Sequence, residues 1–233
     1  MACTERLFFG LPIVMEAPPD LAETWGRSRE APGILVFAGR RFLWRLVRCR
    51  VFRRSLAGKA AAVVPVGGAA RRHVRVATGC DVGEFSSFQA PIRILSRAEL
   101  DSAGVFIIDT SPAAVRRIEE NVKVTFPGLR IVGRAVFYRE IAPSVTTAIR
   151  KSDPRIILVG SVRPAVIRWI LSQHDVVGSS LTLIAEDAMS RMAERGRRVS
   201  PLEILGLPLR LLVLPVLLVH RLVRRHHQKK STS

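Results

Sequence analysis

Between Gly104 and Gly160 the sequence passes twice through one cycle: a short apolar run, a polar stop, a stretch with helical spacing, and a turn. Such a cycle constrains the fold strongly, because strands joined by helical crossovers lie side by side and in parallel. In the first cycle Gly104-Val-Phe-Ile-Ile-Asp109 stops at Thr110-Ser111-Pro112, where Ser111 is placed to cap a helix and Pro112 to occupy its first turn. Val115, Ile118 and Val122 then share one helical face until Phe126-Pro127-Gly128 ends it. In the second cycle Leu129 to Gly133 reads as a strand and Ala142 to Lys151 as a helix, and Asp153-Pro154 turns into Arg155-Ile-Ile-Leu-Val-Gly160. Further apolar runs at Ile34 to Ala38, Ala61 to Val66 and Leu181 to Ile184 extend the pattern. The expected fold class is α/β: a Rossmann-like, mostly parallel sheet with helices on both faces.

A chain of 233 residues holds one such domain with a short appendage, and the division expected is a domain over 1–200 and an appendage over 201–233. With 48% apolar and 24% charged residues, disorder of the polar kind is excluded. No apolar stretch reaches the ~18 residues of a membrane-crossing helix, and Met1 to Gly10 lacks a basic start before an apolar run, so neither a polytopic nor a secreted protein is expected. Cys3, Cys49 and Cys80 are odd in number and far apart, and read as reduced thiols of a cytoplasmic protein.

Lys and Arg number 37 against 19 acids, a net charge of +18, and such a field attracts nucleic acid, anionic lipid or phosphorylated substrates. Only Lys59, Lys123, Lys151, Lys229 and Lys230 are lysines, so the excess is arginine, whose planar fork grips phosphate bidentately. Seven Arg fall in the fifteen residues from Arg40 to Arg54, interleaved with Phe42, Leu43, Trp44, Leu46, Val47, Val51 and Phe52. On a helix Arg41, Arg45 and Arg48 share a face while Arg40, Arg50, Arg53 and Arg54 do not. A solvated basic helix packed on a core and a contact for anionic lipid or phosphate are both open there.

The C-terminal region differs. Leu202 to His220 is Leu-rich, broken by Pro208 and Pro215 and split by Arg210, and it runs into Arg221, Arg224, Arg225, Lys229 and Lys230. A kinked apolar segment followed by a basic cluster suits the headgroup region of an anionic membrane. A core helix with a frayed tail is the alternative.

Several chemistries lack their residues. There is no phosphate-loop motif beyond Gly67-Gly68, no Asp-x-Asp pair for a metal-dependent sugar-nucleotide site, and no Gly-x-Ser-x-Gly nucleophile. His73, His174, His220, His226 and His227 have no metal-ligand spacing, and no metal or cofactor is expected. What remains are polar residues at strand ends, where open α/β sheets place ligands: Asp109, Thr110 and Ser111 after one strand, Gly160, Ser161 and Arg163 after another. A helix beginning near Pro164 would direct free N–H groups at an anion there, and Arg163 would add a fork for phosphate.

The order of these segments resembles the WecG/TagA/CpsF family of glycosyltransferases, bacterial enzymes that move N-acetylmannosamine or a related sugar from a UDP donor onto a lipid-linked acceptor. Phe126-Pro-Gly-Leu-Arg-Ile-Val-Gly133 is similar to the segment before the family's fourth core strand. Ser152-Asp-Pro-Arg-Ile-Ile-Leu-Val-Gly160, with Pro164, Arg168, Trp169 and Ile170, resembles its Val-Gly-x-Gly-x-Pro-x-Gln-Glu-x-Trp-Ile block. Gly10-Leu-Pro-Ile13, Arg75-Val-Ala-Thr-Gly-Cys-Asp81 and Leu205-Gly-Leu207 are shorter matches in the same order.

The resemblance implies a UDP-sugar, a polyprenyl-diphosphate-linked acceptor and an anionic membrane surface as partners, with a place on the inner face of the cytoplasmic membrane in surface-polysaccharide synthesis. It implies a donor site at Asp109, Thr110, Gly160 and Arg163, and membrane or acceptor contacts at Arg210, Arg221, Arg224 and Arg225. Sugar transfer needs a base for the acceptor hydroxyl and cationic or N–H groups for the departing diphosphate. The family's Asp-Gly-x-Gly segment falls near Val64 to Gly68, which holds no carboxylate, so Asp81 is the expected catalytic residue. Val162, Val166 and Ile167 stand where the family block has Gly and Gln-Glu, and Asp109-Thr110 where it has Gly-Gly. These departures keep open a non-catalytic relative that binds a sugar nucleotide or a membrane partner. A basic nucleic-acid-binding protein is a third reading, poorly served by 6% aromatics. Association between copies of the chain is left open.

Overall fold

The strongest apolar runs form the centre of one sheet, because strands covered by helices on both faces need no polar side. The computed structural model describes residues 5–8, 11–14, 33–49, 53, 56, 60–83, 88–177 and 180–193. Its strands are β1 (Glu5–Phe8), β2 (Leu11–Val14), β3 (Ile34–Ala38), β4 (Ala60–Pro65), β5 (Gly104–Asp109), β6 (Arg130–Val136), β7 (Ile156–Val159) and β8 (Leu181–Ile184). They are ordered β1-β2-β4-β3-β8-β7-β5-β6, with every neighbouring pair parallel except the β1–β2 hairpin. β3, β5, β7 and β8 are buried along their whole length. Each fully buried Ile or Leu among them contributes about 1.5–3 kcal/mol.

The helices are α1 (Arg40–Arg48), α2 (Gly68–Thr78), α3 (Gln89–Leu100), α4 (Pro112–Thr125), α5 (Ala142–Ser152), α6 (Pro164–Val177) and α7 (Glu186–Ala193). Ser111 caps α4 as its position predicts, its Oγ accepting from the Ala114 N–H at 3.3 Å. Right-handed crossovers that lead to opposite sides of a sheet leave their helices on opposite faces. Accordingly α4, between β5 and β6, packs on α7, where Asn121 donates to the Met192 carbonyl. On the other face α5 packs on α6, and the Thr146 hydroxyl lies 3.3 Å from Gln173 Oε1.

Two strand boundaries differ from the sequence expectation. β4 begins and ends one residue earlier, at Ala60 and Pro65. β6 starts at Arg130 and runs on to Val136, because Leu129 still belongs to the turn, its N–H bonded to the Phe126 carbonyl at 3.1 Å. As the last strand of the sheet β6 is half-exposed, so Arg130 and Arg134 fit it without burial. Gly133 is fixed by packing, since a Cβ there would collide with the Phe106 ring. The basic segment after β3 forms α1, with Phe42, Leu43 and Leu46 in the core, Arg48 stacked 4.1 Å over Trp44, and Arg45 bonded to the Val162 carbonyl. The apolar face of the helix packs on the core, and Arg50 and Arg54 lie outside the described residues. So does all of the appendage, including Arg210, Arg221, Arg224 and Arg225.

Candidate functional site

β5 and β7 are neighbours, and their connections diverge: β5 leads through α4 to β6, β7 through α6 to β8 on the other side. The carboxyl ends of two such strands bound the crevice in which open α/β sheets hold ligands. Asp109 and Gly160 therefore lie on the same edge, with the Gly160 N–H bonded to the Ile108 carbonyl at 2.9 Å. Asp109 is only 9% exposed, and its Oδ1 accepts from the backbone N–H groups of Thr110 at 2.6 Å and Ser111 at 3.0 Å. Its Oδ2 faces Gly160 so closely that a Cβ on residue 160 would collide with it. Glycine is required there by the carboxylate.

Burial pushes the Asp109 carboxyl above its ordinary 3.8, while the N–H groups of Ser111 and Thr110 and the charge of Arg163 act in the opposite direction. The turn that carries Arg163 is itself ordered: buried Ser161 accepts the Arg163 N–H on its Oγ at 3.3 Å. The Arg163 carbonyl accepts from Ile167 at 3.1 Å, which makes Arg163 the residue that opens α6. Pro164 follows at the first helical position, where a missing N–H removes nothing, and the next N–H groups of the first turn have no partner within the helix. Arg163 is exposed. The edge thus combines a fixed carboxylate, a helix start and an exposed cation, a set suited to hydroxyls and phosphates.

The structure separates the remaining candidates. Asp81 follows the left-handed Gly79 that ends α2 and is exposed, paired with Arg75 at 3.1 Å within its own segment. Val162, Val166 and Ile167 are fully buried, so the positions where the family block carries Gly and Gln-Glu belong to the core here. Among the described residues no group of three or more His, Cys, Asp or Glu could hold a metal ion. No helix among them is long and apolar enough to cross a membrane.

Two features of this edge escaped the sequence. Asp187, in the first turn of α7, lies against the end of β3, where a Cβ on Gly39 would stand 2.9 Å from its Oδ2. Beside Asp109, a cleft of about 380 Å³ opens between the end of β6 and α6, lined by Phe137, Arg139, Ala142, Ala165, Arg168, Trp169 and Ser172. Its two rings are 4.9 Å apart at 42°. The signal available was Trp169 in the quoted block and an aromatic pair, Phe137-Tyr138, just past a strand.

Compared with known proteins, the sequence matches the profile described as Glycosyl transferase WecG/TagA/CpsF family over residues 8–226. No curated protein matches it.

Proposed function

Because this chain belongs to the WecG/TagA/CpsF family of glycosyl transferases, we propose that it moves a hexosamine-like sugar from a UDP donor to a polyprenyl-diphosphate-linked acceptor in cell-surface polysaccharide synthesis. The observation that carries this reading is the crevice between β5 and β7, where the buried Asp109 carboxylate lies against Gly160 and the exposed Arg163 opens the neighbouring helix, near enough for its charge to act on Asp109. The donor diphosphate sits at Gly160 and the start of α6, with Arg163 and the first-turn N–H groups taking the charge that grows as the sugar leaves. Thr110 and the Asp109 carboxylate accept hydroxyls of the donor. The acceptor hydroxyl loses its proton to a base; Asp81, paired with Arg75 after the end of α2 and so apart from the crevice, is the candidate that the family resemblance offers. If it serves as that base, Asp81→Asn lowers turnover at least about a hundredfold and leaves UDP binding intact, whereas unchanged turnover removes it from the reaction.

The domain over 1–200 acts at the inner face of the cytoplasmic membrane, and the appendage over 201–233 holds it there through the apolar run from Leu202 and through Arg210, Arg221, Arg224 and Arg225. Each cation near an anionic leaflet contributes about 1 kcal/mol. The apolar run keeps the full chain on anionic liposomes at 1 M salt, where the Debye length falls to about 3 Å; release at that salt means an attachment by charge alone.

The core character of Val162, Val166 and Ile167 favours a second reading, a relative that binds a sugar nucleotide without transferring it. Turnover of a panel of UDP-sugars with a polyprenyl-diphosphate acceptor decides between them. Product from one sugar supports the transferase, whereas UDP binding without product supports the second reading.

A further inference from the structure

We propose that the cleft beside the donor crevice, floored by Phe137 and Trp169 and rimmed by Arg139 and Arg168, seats the acceptor's diphosphate and the first carbons of its lipid. This assignment rests on the transferase reading and gives the second substrate a place in the described domain. The cleft adjoins the donor crevice: the Phe137 N–H donates to the Asp109 carbonyl at 2.7 Å. It shares α6 with the donor turn, Arg163 opening the helix and Arg168 and Trp169 following in it. Two substrates bound on either side of the end of β5 would meet at Asp109.

The lining has two chemistries. Its floor is apolar, with buried Phe137 against half-buried Trp169. Its rim carries Arg139 and Arg168, both exposed and, among the described residues, without an ion pair to an acid; Arg168 spends only its Nε on the Pro164 carbonyl, at 3.4 Å. No carboxylate lines the cleft. A nucleobase needs matched donors and acceptors along its edge, and besides the Trp169 indole, which can only donate, the lining offers just Ser172, whose hydroxyl already donates to the Trp169 carbonyl. Two guanidinium forks above an apolar floor instead match an amphipathic anion, a phosphate ester on a hydrocarbon chain. Flanking Arg139, Tyr138 and Ile141 are 47% and 41% exposed, an apolar lip over which the rest of a lipid chain can lie.

The test uses the full chain and calorimetry with farnesyl diphosphate below its micelle-forming concentration, inorganic diphosphate, and UDP. Farnesyl diphosphate should bind, inorganic diphosphate at least about tenfold more weakly because it leaves the floor unused. In the Arg139→Gln/Arg168→Gln double variant, checked for an unchanged melting temperature, farnesyl diphosphate should weaken by at least about tenfold and UDP by no more than about twofold. The proposal is overturned if the wild type does not bind farnesyl diphosphate, if the double variant binds it unchanged, or if inorganic diphosphate binds as tightly. It is also overturned if UDP weakens in step, which would make the cleft part of the nucleotide site, or if phosphatidylglycerol vesicles displace farnesyl diphosphate, which would make it a headgroup site. A wild type that binds farnesyl diphosphate in this way but no UDP removes the donor reading and leaves the cleft assignment standing.

Discussion

At the edge where the parallel strands begin, charges are matched in place, whereas at the edge where they end three arginines have no ion pair among the described residues. Before β7, Arg155 pairs with Asp101 at 2.9 Å; before β6, the Gly128 N–H is held by Glu99 at 2.9 Å and the Arg130 guanidinium by the Ser102 carbonyl at 3.1 Å. Backbone bonds from Arg130 to Ala103, from Arg155 to Gly104 and from Leu181 to Arg155 close that edge further. After the strands, Asp109 is buried with its charge held by N–H groups, and Arg139, Arg163 and Arg168 have no ion pair among the described residues. One edge spends its charged groups on the fold, and the other, where we propose the donor site, leaves three guanidinium groups without an ion pair among the described residues.

The sharpest way to break this contrast is to remove one cation from each edge and measure UDP affinity. Arg163→Ala should weaken UDP by about 1.5–3 kcal/mol, the range for a hydrogen bond to a charged group and roughly a 10- to 150-fold loss. Arg155→Ala should leave UDP affinity unchanged. Equal losses would mean that the field of the whole protein, not the edge, holds the nucleotide.

Next in size is the effect of a methyl group at Gly160. Gly160→Ala drives a Cβ into Asp109 Oδ2 and to 3.2 Å from Met189 Cβ, and urea unfolding should report a loss of about 1–3 kcal/mol. Gly68→Ala, at the start of α2 with no atom within 4 Å of the new Cβ, should stay within about 0.5 kcal/mol. If Gly160→Ala is equally silent, the carboxylate does not sit against that glycine.

How far this edge could be read from sequence depended on how local each contact is. The Gly104–Asp109 run, its stop at Thr110 and the Ser111-Pro112 start are contiguous, so strand, cap and helix were legible together. Gly160 could be placed beside Asp109 because both end buried runs of one parallel sheet. β6 was read too short, since an edge strand with Arg130, Gly133 and Arg134 has no clean apolar run. The approach of Asp187 to Gly39 depends on β3 pairing with β8, and the Phe137–Trp169 contact on α6 packing beside the end of β6. Neither is written in any local pattern. The buried positions of Val162, Val166 and Ile167 were visible only as departures from a family block; their reason, core packing under α1 and α6, needed the fold.

A smaller effect concerns pH. The folded protein holds the Asp109 proton more tightly than the unfolded chain, so this group's contribution is complete below its ordinary 3.8 and is lost as pH rises through the folded value. Asp109→Asn, which keeps an oxygen for the Thr110 and Ser111 N–H groups, lacks that loss. Urea-unfolding free energies should therefore move in favour of Asp109→Asn relative to the wild type as pH is raised from 3.8. Parallel pH profiles would show that burial does not act on this carboxyl. Smallest of all, Arg155→Ala should cost about 1 kcal/mol of stability or less, as partly exposed ion pairs do.

The central claim is that the edge between β5 and β7 is where the donor binds, and a crystal structure of the full chain with UDP tests it most directly. The account predicts the diphosphate over Gly160, within hydrogen-bonding distance of the Arg163 guanidinium and the first N–H groups of α6. UDP bound at the opposite edge, beside Asp101 and Arg155, or away from both strands, would contradict it.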